Sequence, residues 1–173
     1  LIFSESLYKN GLLHGKKIIY NGKGAVFHEI NFEKGKANGT YKIYSDFDEL
    51  VLETEFKNNL KDGKRTLYNR KSSGMKVEGV YQKGILVSDL TLSNEYNKFI
   101  IPKNTKKGKV KHFSRDDKLV SEFELIGNGL LHGMAVVYNL STGKPYSKVP
   151  YNYDKKNGVA EFYNRKGELL TKN

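Results

Sequence analysis

Histidines, carboxylates, tyrosines and lysines are the residues of this chain that could do chemistry, and their spacing decides which chemistry. His14 and His132 hold the same place in two copies of NGLLHG, at 10–15 and 128–133, one position before a glycine. That makes them turn residues of a recurring motif, not a metal pair. His28 and His112 are isolated, with no carboxylate cluster at ligand spacing. The pairs Asp46/Asp48 and Asp116/Asp117 fall in turn strings and read as solvated. The chain has no cysteine, which removes disulfides, thiolate zinc sites and thiol nucleophiles. It contains no HExxH, GxSxG or GxxxxGK[ST] string. Glycine-rich stretches such as GKKIIYNGKG recur with the motif and read as turns, since phosphate loops need a strand–loop–helix context. The expectation is a protein that is not an enzyme, with no catalytic residues, no cofactor and no metal.

Binding chemistry is better represented. Tyr20, Tyr44, Tyr68, Tyr138 and Tyr163 recur at one motif position. Tyrosine is large, stiff and amphipathic, so a row of them could grip an extended peptide or glycan. The plainer expectation is that each ring packs on the motif glycine of a neighbouring unit. A second candidate is the basic stretch 98–118, with Lys103, Lys106, Lys107, Lys109, Lys111 and Arg115 at its heart. Lysines there would guard an exposed strand edge or face an acidic partner. The whole chain carries a formal charge of +11.

The elements that must position these groups come from an internal repeat. Gly15, Gly39, Gly63, Ser88, Gly108, Gly133 and Gly158 are spaced by 24, 24, 25, 20, 25 and 25 residues. Five residues after each stands Tyr20, Tyr44, Tyr68, Ser93, Phe113, Tyr138 or Tyr163. Twelve residues before those stands an anchor: Tyr8, Phe32, Phe56, Tyr81, Ile101, Ile126 or Tyr151. Turn strings such as YKNG, FEKG, FKNN and YQKG follow most anchors. Asn-Gly, Lys-Gly and Asn-Asn pairs tolerate the positive φ of tight hairpins. The segments after each glycine are rich in β-branched and aromatic residues, which favour strands. Each unit is therefore two antiparallel strands. Alternation puts the aliphatic row Ile19, Ile43, Leu67 and the tyrosine row on opposite faces, provided no bulge intervenes.

A lone hairpin is not stable in water, so the units must stack. The expected fold is all-β: an extended, twisted antiparallel sheet of consecutive hairpins, a half-pipe or solenoid-like single layer. Hydrophobic residues make up only 38%, which suits one layer better than a thick globule. Residues 1–173 read as one array of about seven units (1–22, 23–46, 47–72, 73–95, 96–117, 118–142, 143–173), the fourth degenerate. No apolar run approaches the length of a membrane-spanning helix.

The strings YKNGLLHGKKIIYNGKG, FEKGKANGTYKIY and FKNNLKDGKRTLYNRKSSG resemble MORN repeats, most closely the bacterial variant found in antitoxin-like proteins. The resemblance runs from Tyr8 to Gly167, and the fourth unit departs from it by lacking both glycine and tyrosine. It implies a sheet of consecutive hairpins serving as a scaffold or binding surface. The functional expectation is a bacterial scaffold that binds a protein through a curved β surface. The alternatives are an antitoxin or immunity protein that occludes a toxin, and a module peripheral to a membrane or cell surface. Among partners a protein stands first, anionic lipid or a cell surface second and nucleic acid last, with end-to-end or edge association of copies as a further expectation. An exported and a cytoplasmic location are both open, since the chain starts at Leu1 and a leader could precede it.

Overall fold

The computed structural model describes residues 2–69, 74–103, 107–127 and 129–172. Their regular secondary structure is entirely β, and every paired strand is antiparallel. The chain divides into two units, Leu1–Ser88 and Asp89–Asn173.

The first unit is a meander of β1 (Ser4–Lys9), β2 (Leu12–Tyr20), β3 (Val26–Glu33), β4 (Lys36–Tyr44), β5 (Leu50–Lys57), β6 (Leu60–Asn69), β7 (Met75–Gln82) and β8 (Ile85–Leu86). Each strand pairs with the next in the chain. The second unit holds β9 (Leu90–Ser93), β10 (Asn97–Ile101), β11 (Lys107–Ser114), β12 (Leu119–Ile126), β13 (Leu130–Leu131), β14 (Gly133–Tyr138), β15 (Pro145–Asn152), β16 (Lys155–Lys156), β17 (Glu161–Tyr163) and β18 (Leu169–Lys172). Here β13 with β14, and β16 with β17, are single strands interrupted at a bulge, since β12 pairs with both halves of the first and β15 with both halves of the second.

Two local devices recur. The first is the two-residue turn between incoming and outgoing strands. Both turn residues have positive φ in Asn10–Gly11 (51°, 74°), Lys34–Gly35 (50°, 78°), Asn58–Asn59 (51°, 69°), Lys83–Gly84 (48°, 86°) and Tyr153–Asp154 (48°, 65°). This is the type I′ geometry, whose twist matches that of the flanking strands. Four of the five are also tied to the hairpin before them: Gly35 N donates to Leu13 O (2.8 Å), Asn59 N to Ala37 O (3.0 Å), Gly84 N to Lys61 O (2.8 Å), and Asp154 N to Leu131 O (3.0 Å).

The second device explains the motif glycine. Within the hairpins built on Gly15, Gly39, Gly63, Gly133 and Gly158 the register slips by two, so three residues of the outgoing strand face one of the incoming strand; the described β10–β11 pairs keep one register, and Gly108, expected as a repeat glycine, lies in β11 without positive φ. In β3–β4, Ile30 pairs with Tyr41 and Phe32 with Ala37, leaving Asn31 opposite 38–40. The glycine sits mid-bulge with φ of 94° at Gly15, 99° at Gly39, 118° at Gly63, 79° at Gly133 and 107° at Gly158. In the degenerate fourth hairpin the Ser88 hydroxyl occupies this place and accepts from Val80 N at 2.9 Å.

Few side chains are buried. Among the described residues Thr54, Thr66, Val110, Val136 and Ser147 are, together with Gly79. Most others are half-exposed. Stability therefore comes from backbone ladders plus cross-strand side-chain pairs, each contributing about 0.2–1 kcal/mol.

Candidate functional site

Cross-strand partners share a face, so the registers assign both faces of each unit. One face of the first unit carries the row Ile19, His28, Ile43, Leu52, Leu67, Val77. Its counterpart in the second unit is Leu92, Phe99, His112, Ser121, Val137, Ser147, Phe162. The anchors lie on this face opposite the motif glycines: Phe32 across from Gly15, Phe56 from Gly39, Tyr81 from Gly63 and Tyr151 from Gly133. Opposite Gly108 the partner is Leu125, not the expected Ile126. Ile126 pairs with Leu130, so the chain between these strands is one residue longer than in the two-residue hairpins, and this moves the anchor back by one.

The opposite face of the first unit carries Glu5, Ile18, Glu29, Lys42, Glu53, Thr66, Glu78 in one row. The motif tyrosines stand on this face too, so the aliphatic and aromatic rows do part. The bulge between Ile19 and Tyr20, repeated at Tyr44, Tyr138 and Tyr163, does not bring them together.

The expected packing of tyrosine on glycine is not what forms. A Cβ placed on the motif glycines meets the incoming strand of the same hairpin instead: Leu7 Cδ1 at 3.1 Å from Gly15, Asn31 Cβ at 3.4 Å from Gly39, Pro150 Cγ at 3.2 Å from Gly158. The tyrosines turn to carboxylates. Tyr44 donates to Glu29 Oε2 (3.4 Å), Tyr138 to Glu122 Oε1 (3.1 Å) and Tyr163 to Glu161 Oε2 (2.5 Å). Burial, then the neighbouring carboxylate, raises the Tyr20, Tyr44 and Tyr138 hydroxyls above the ordinary tyrosine value; the carboxylates are Glu5, Glu29 and Glu122.

Sequence reasoning missed these carboxylates, although the signal was present. Glu5, Glu29 and Glu53 stand fifteen residues before Tyr20, Tyr44 and Tyr68, Glu78 fifteen before Ser93, and Glu122 sixteen before Tyr138. Where that position is lysine the contact changes character. Lys98 Nζ lies over the Phe113 ring at 5.3 Å, and Lys148 Nζ over the Tyr163 ring at 5.2 Å.

Lysines complete the ladder. Ion pairs link Lys16 to Glu29 (3.6 Å), Lys42 to Glu53 (3.6 Å), Lys64 and Lys76 to Glu78 (2.5 and 3.2 Å) and Lys109 to Glu122 (3.1 Å). Burial opposes the Glu78 charge, but hydrogen bonds from Lys64 and Lys76 outweigh it, and the carboxyl lies below its ordinary value.

Among the described residues the basic stretch is divided between a sheet face and the strand ends. Lys109 and Lys111 lie on the tyrosine face, where Lys111 is the cross-strand partner of Glu122. Lys103 follows the end of β10, its backbone N–H bonded to Asp89. Arg115 lies in the turn at the other end of β11. Lys98 pairs with Asp117. Lys106 and the side chain of Lys107 lie outside the described residues.

The histidines stay apart. His28 Nδ1 bonds the Tyr41 hydroxyl at 2.7 Å, and His112 Nε2 bonds Asn97 Oδ1 at 2.8 Å. Among the described residues no group of three or more His, Asp or Glu could hold a metal ion. The depressions are shallow; one of about 350 Å³ is lined by Leu119, Tyr138, Asn139 and Leu140. Compared with known proteins, the chain matches no family model and no curated protein.

Proposed function

We propose that the chain is a non-enzymatic binding scaffold of the MORN-repeat kind, which holds a protein partner on its stacked strands. One observation carries this reading. In the first unit only Thr54, Thr66 and Gly79 are buried among the described residues, so strand after strand leaves its side chains available to another molecule. The tyrosine rings fit the same role. The hydroxyls of Tyr20, Tyr44, Tyr138 and Tyr163 are held by carboxylates, which keeps half-exposed rings in place and lowers the entropy lost when a partner covers them.

The test is reconstitution. The tagged chain is cross-linked in its native cells, the captured protein is purified, and the complex is rebuilt from the two components. A complex of fixed stoichiometry by native mass spectrometry is expected. Components that do not reassociate would refute the reading.

A further inference from the structure

We propose that the row of hairpin turns along one edge of the first unit is the docking edge for an acidic protein segment. This deepens the scaffold reading and rests on it. The turns at 9–12, 33–36, 57–60 and 82–85 lie side by side, joined by the hydrogen bonds from Gly35, Asn59 and Gly84 to the preceding hairpins. They carry Lys9, Lys34, Lys36, Lys57 and Lys83, all exposed, against two acids: Glu33, and Asp62 beside the fourth turn, whose carboxylate accepts from Lys83 N at 3.4 Å. Glu33 accepts from Asn38 at 2.5 Å. Among the described residues no ion pair engages any of the five lysines, whereas Lys16, Lys42, Lys64 and Lys76 on the sheet face are all paired. Among the connections at the other end of the strands, 45–49 carries Asp46, Asp48 and Glu49 while 21–25 carries Lys23, and the sequence joining β6 to β7 holds Arg70 and Lys71. What distinguishes the hairpin-turn edge is its row of five lysines without ion pairs among the described residues, which complements an anionic partner.

The backbone adds a second observation. Lys34 and Lys83 occupy left-handed turn positions, with φ of 50° and 48°. The equivalent positions in the first and third hairpins hold Asn10 and Asn58, a residue type that this conformation favours. Lysine there costs stability and places a charge at the tip. Such a departure from local preference is expected where function requires it.

A helical segment is a partner form that the spacing accommodates. Consecutive equivalent turns are two strands apart, about 9.6 Å. Seven residues of α-helix rise about 10.5 Å. A helix with a carboxylate at every seventh position stays in step across four turns to within about 3 Å. Exposed apolar residues, Leu12, Leu60 and Ile85, stand between the lysines and offer a packed partner apolar contact. Leu12 and Leu60 each reach toward the next turn, with Leu12 Cδ2 3.7 Å from a Cβ built on Gly35 and Leu60 Cδ2 3.9 Å from one on Gly84.

The experiment uses the full chain and two synthetic helical peptides of one composition, the first with glutamate at every seventh position and the second shuffled. Fluorescence anisotropy should show binding of the first and at least about tenfold weaker binding of the second. The double variant Lys34→Asn/Lys83→Asn should lose about tenfold in affinity for the first peptide while its thermal midpoint holds or rises. Lys9→Gln/Lys57→Gln, which leaves the strained turn positions untouched, should weaken binding likewise. Equal binding of the two peptides, or unchanged affinity in both variants, would overturn the proposal. So would tighter binding to phosphatidylserine vesicles or duplex DNA than to the first peptide. A reconstituted native partner indifferent to these substitutions would remove the docking edge and leave the scaffold reading standing. If no partner reconstitutes, both fail.

Discussion

Replacing Gly63 by alanine should destabilise the first unit more than the same change at Gly39, and the difference can be worked out from the bulge. Both glycines have positive φ, 99° at Gly39 and 118° at Gly63. An L-residue held there costs roughly 1–3 kcal/mol. At Gly39 little else is added, since the nearest atom to a new Cβ is Asn31 Cβ at 3.4 Å. At Gly63 the new Cβ would lie 1.8 Å from Glu55 Oε2 and 2.9 Å from Glu55 Cβ. The carboxylate can swing away, but it then gives up the bond it accepts from Lys64 N at 3.2 Å. An exposed bond of that kind contributes about 0.5–1.5 kcal/mol. The Cβ–Cβ approach also forces the strands apart. Gly63→Ala should therefore cost at least about 1 kcal/mol more than Gly39→Ala. Urea unfolding followed by circular dichroism measures both, with an unchanged m-value as the condition for comparing midpoints. Glu55→Gly in the Gly63→Ala background should relieve the Cβ–Cβ approach alone, since it too removes the bond to Lys64 N and leaves the φ cost. Equal losses at the two sites would refute the steric argument. A stabilising Gly39→Ala, as at a glycine with unstrained φ, would refute the bulge itself.

Other expectations follow from the ladder. Tyr138→Phe removes the hydroxyl bonded to Glu122 and should cost about 0.5–1.5 kcal/mol by urea unfolding; a neutral result would mean that the bond is made equally well with water. Glu78 is held below its ordinary pKa, so its contribution is present above the unfolded carboxylate value and is lost as pH falls through the native one. Glu78→Gln should therefore flatten the acid limb of a stability–pH profile, and an unchanged limb would exclude this residue as its source. Burial lowers the pKa of His28 and His112, so both imidazoles should titrate below the ordinary histidine value when followed by NMR. The stability they confer is present above the unfolded histidine value and fades as pH drops through the native one.

The hairpin array was legible because its signals are local. Asn10–Gly11 and Lys34–Gly35 announce turns, and the residues after each motif glycine announce strands. The purpose of that glycine was less plain. Sequence suggested room for a tyrosine, whereas the glycine is needed because a bulge twists the backbone into positive φ beneath a side chain of the same hairpin. Tyr44 and Tyr138 instead reach Glu29 and Glu122, which sit on the preceding strand of the sheet. That contact is invisible until strand register is known, even though the glutamates keep the same period. Leu125 displaced Ile126 for a similar reason, since one extra residue between Ile126 and Leu130 changes which side chain faces Gly108. Charge was the least readable property. The run 98–118 looks continuous on paper, yet folding sends Lys103 and Arg115 to opposite ends of their strands and sets Lys109 and Lys111 against Glu122.

The bonds from Gly35, Asn59 and Gly84 all run backwards, from a later hairpin to the one made before it. Each new joint finds its acceptor already synthesised, so the first unit can be assembled in the order in which a ribosome delivers it. The same polarity makes a 24-residue cassette, the distance from Gly15 to Gly39, an interchangeable part. In-frame loss or duplication of one cassette leaves a donor facing an acceptor across the scar, so the sheet can change length over generations without redesign of its seams.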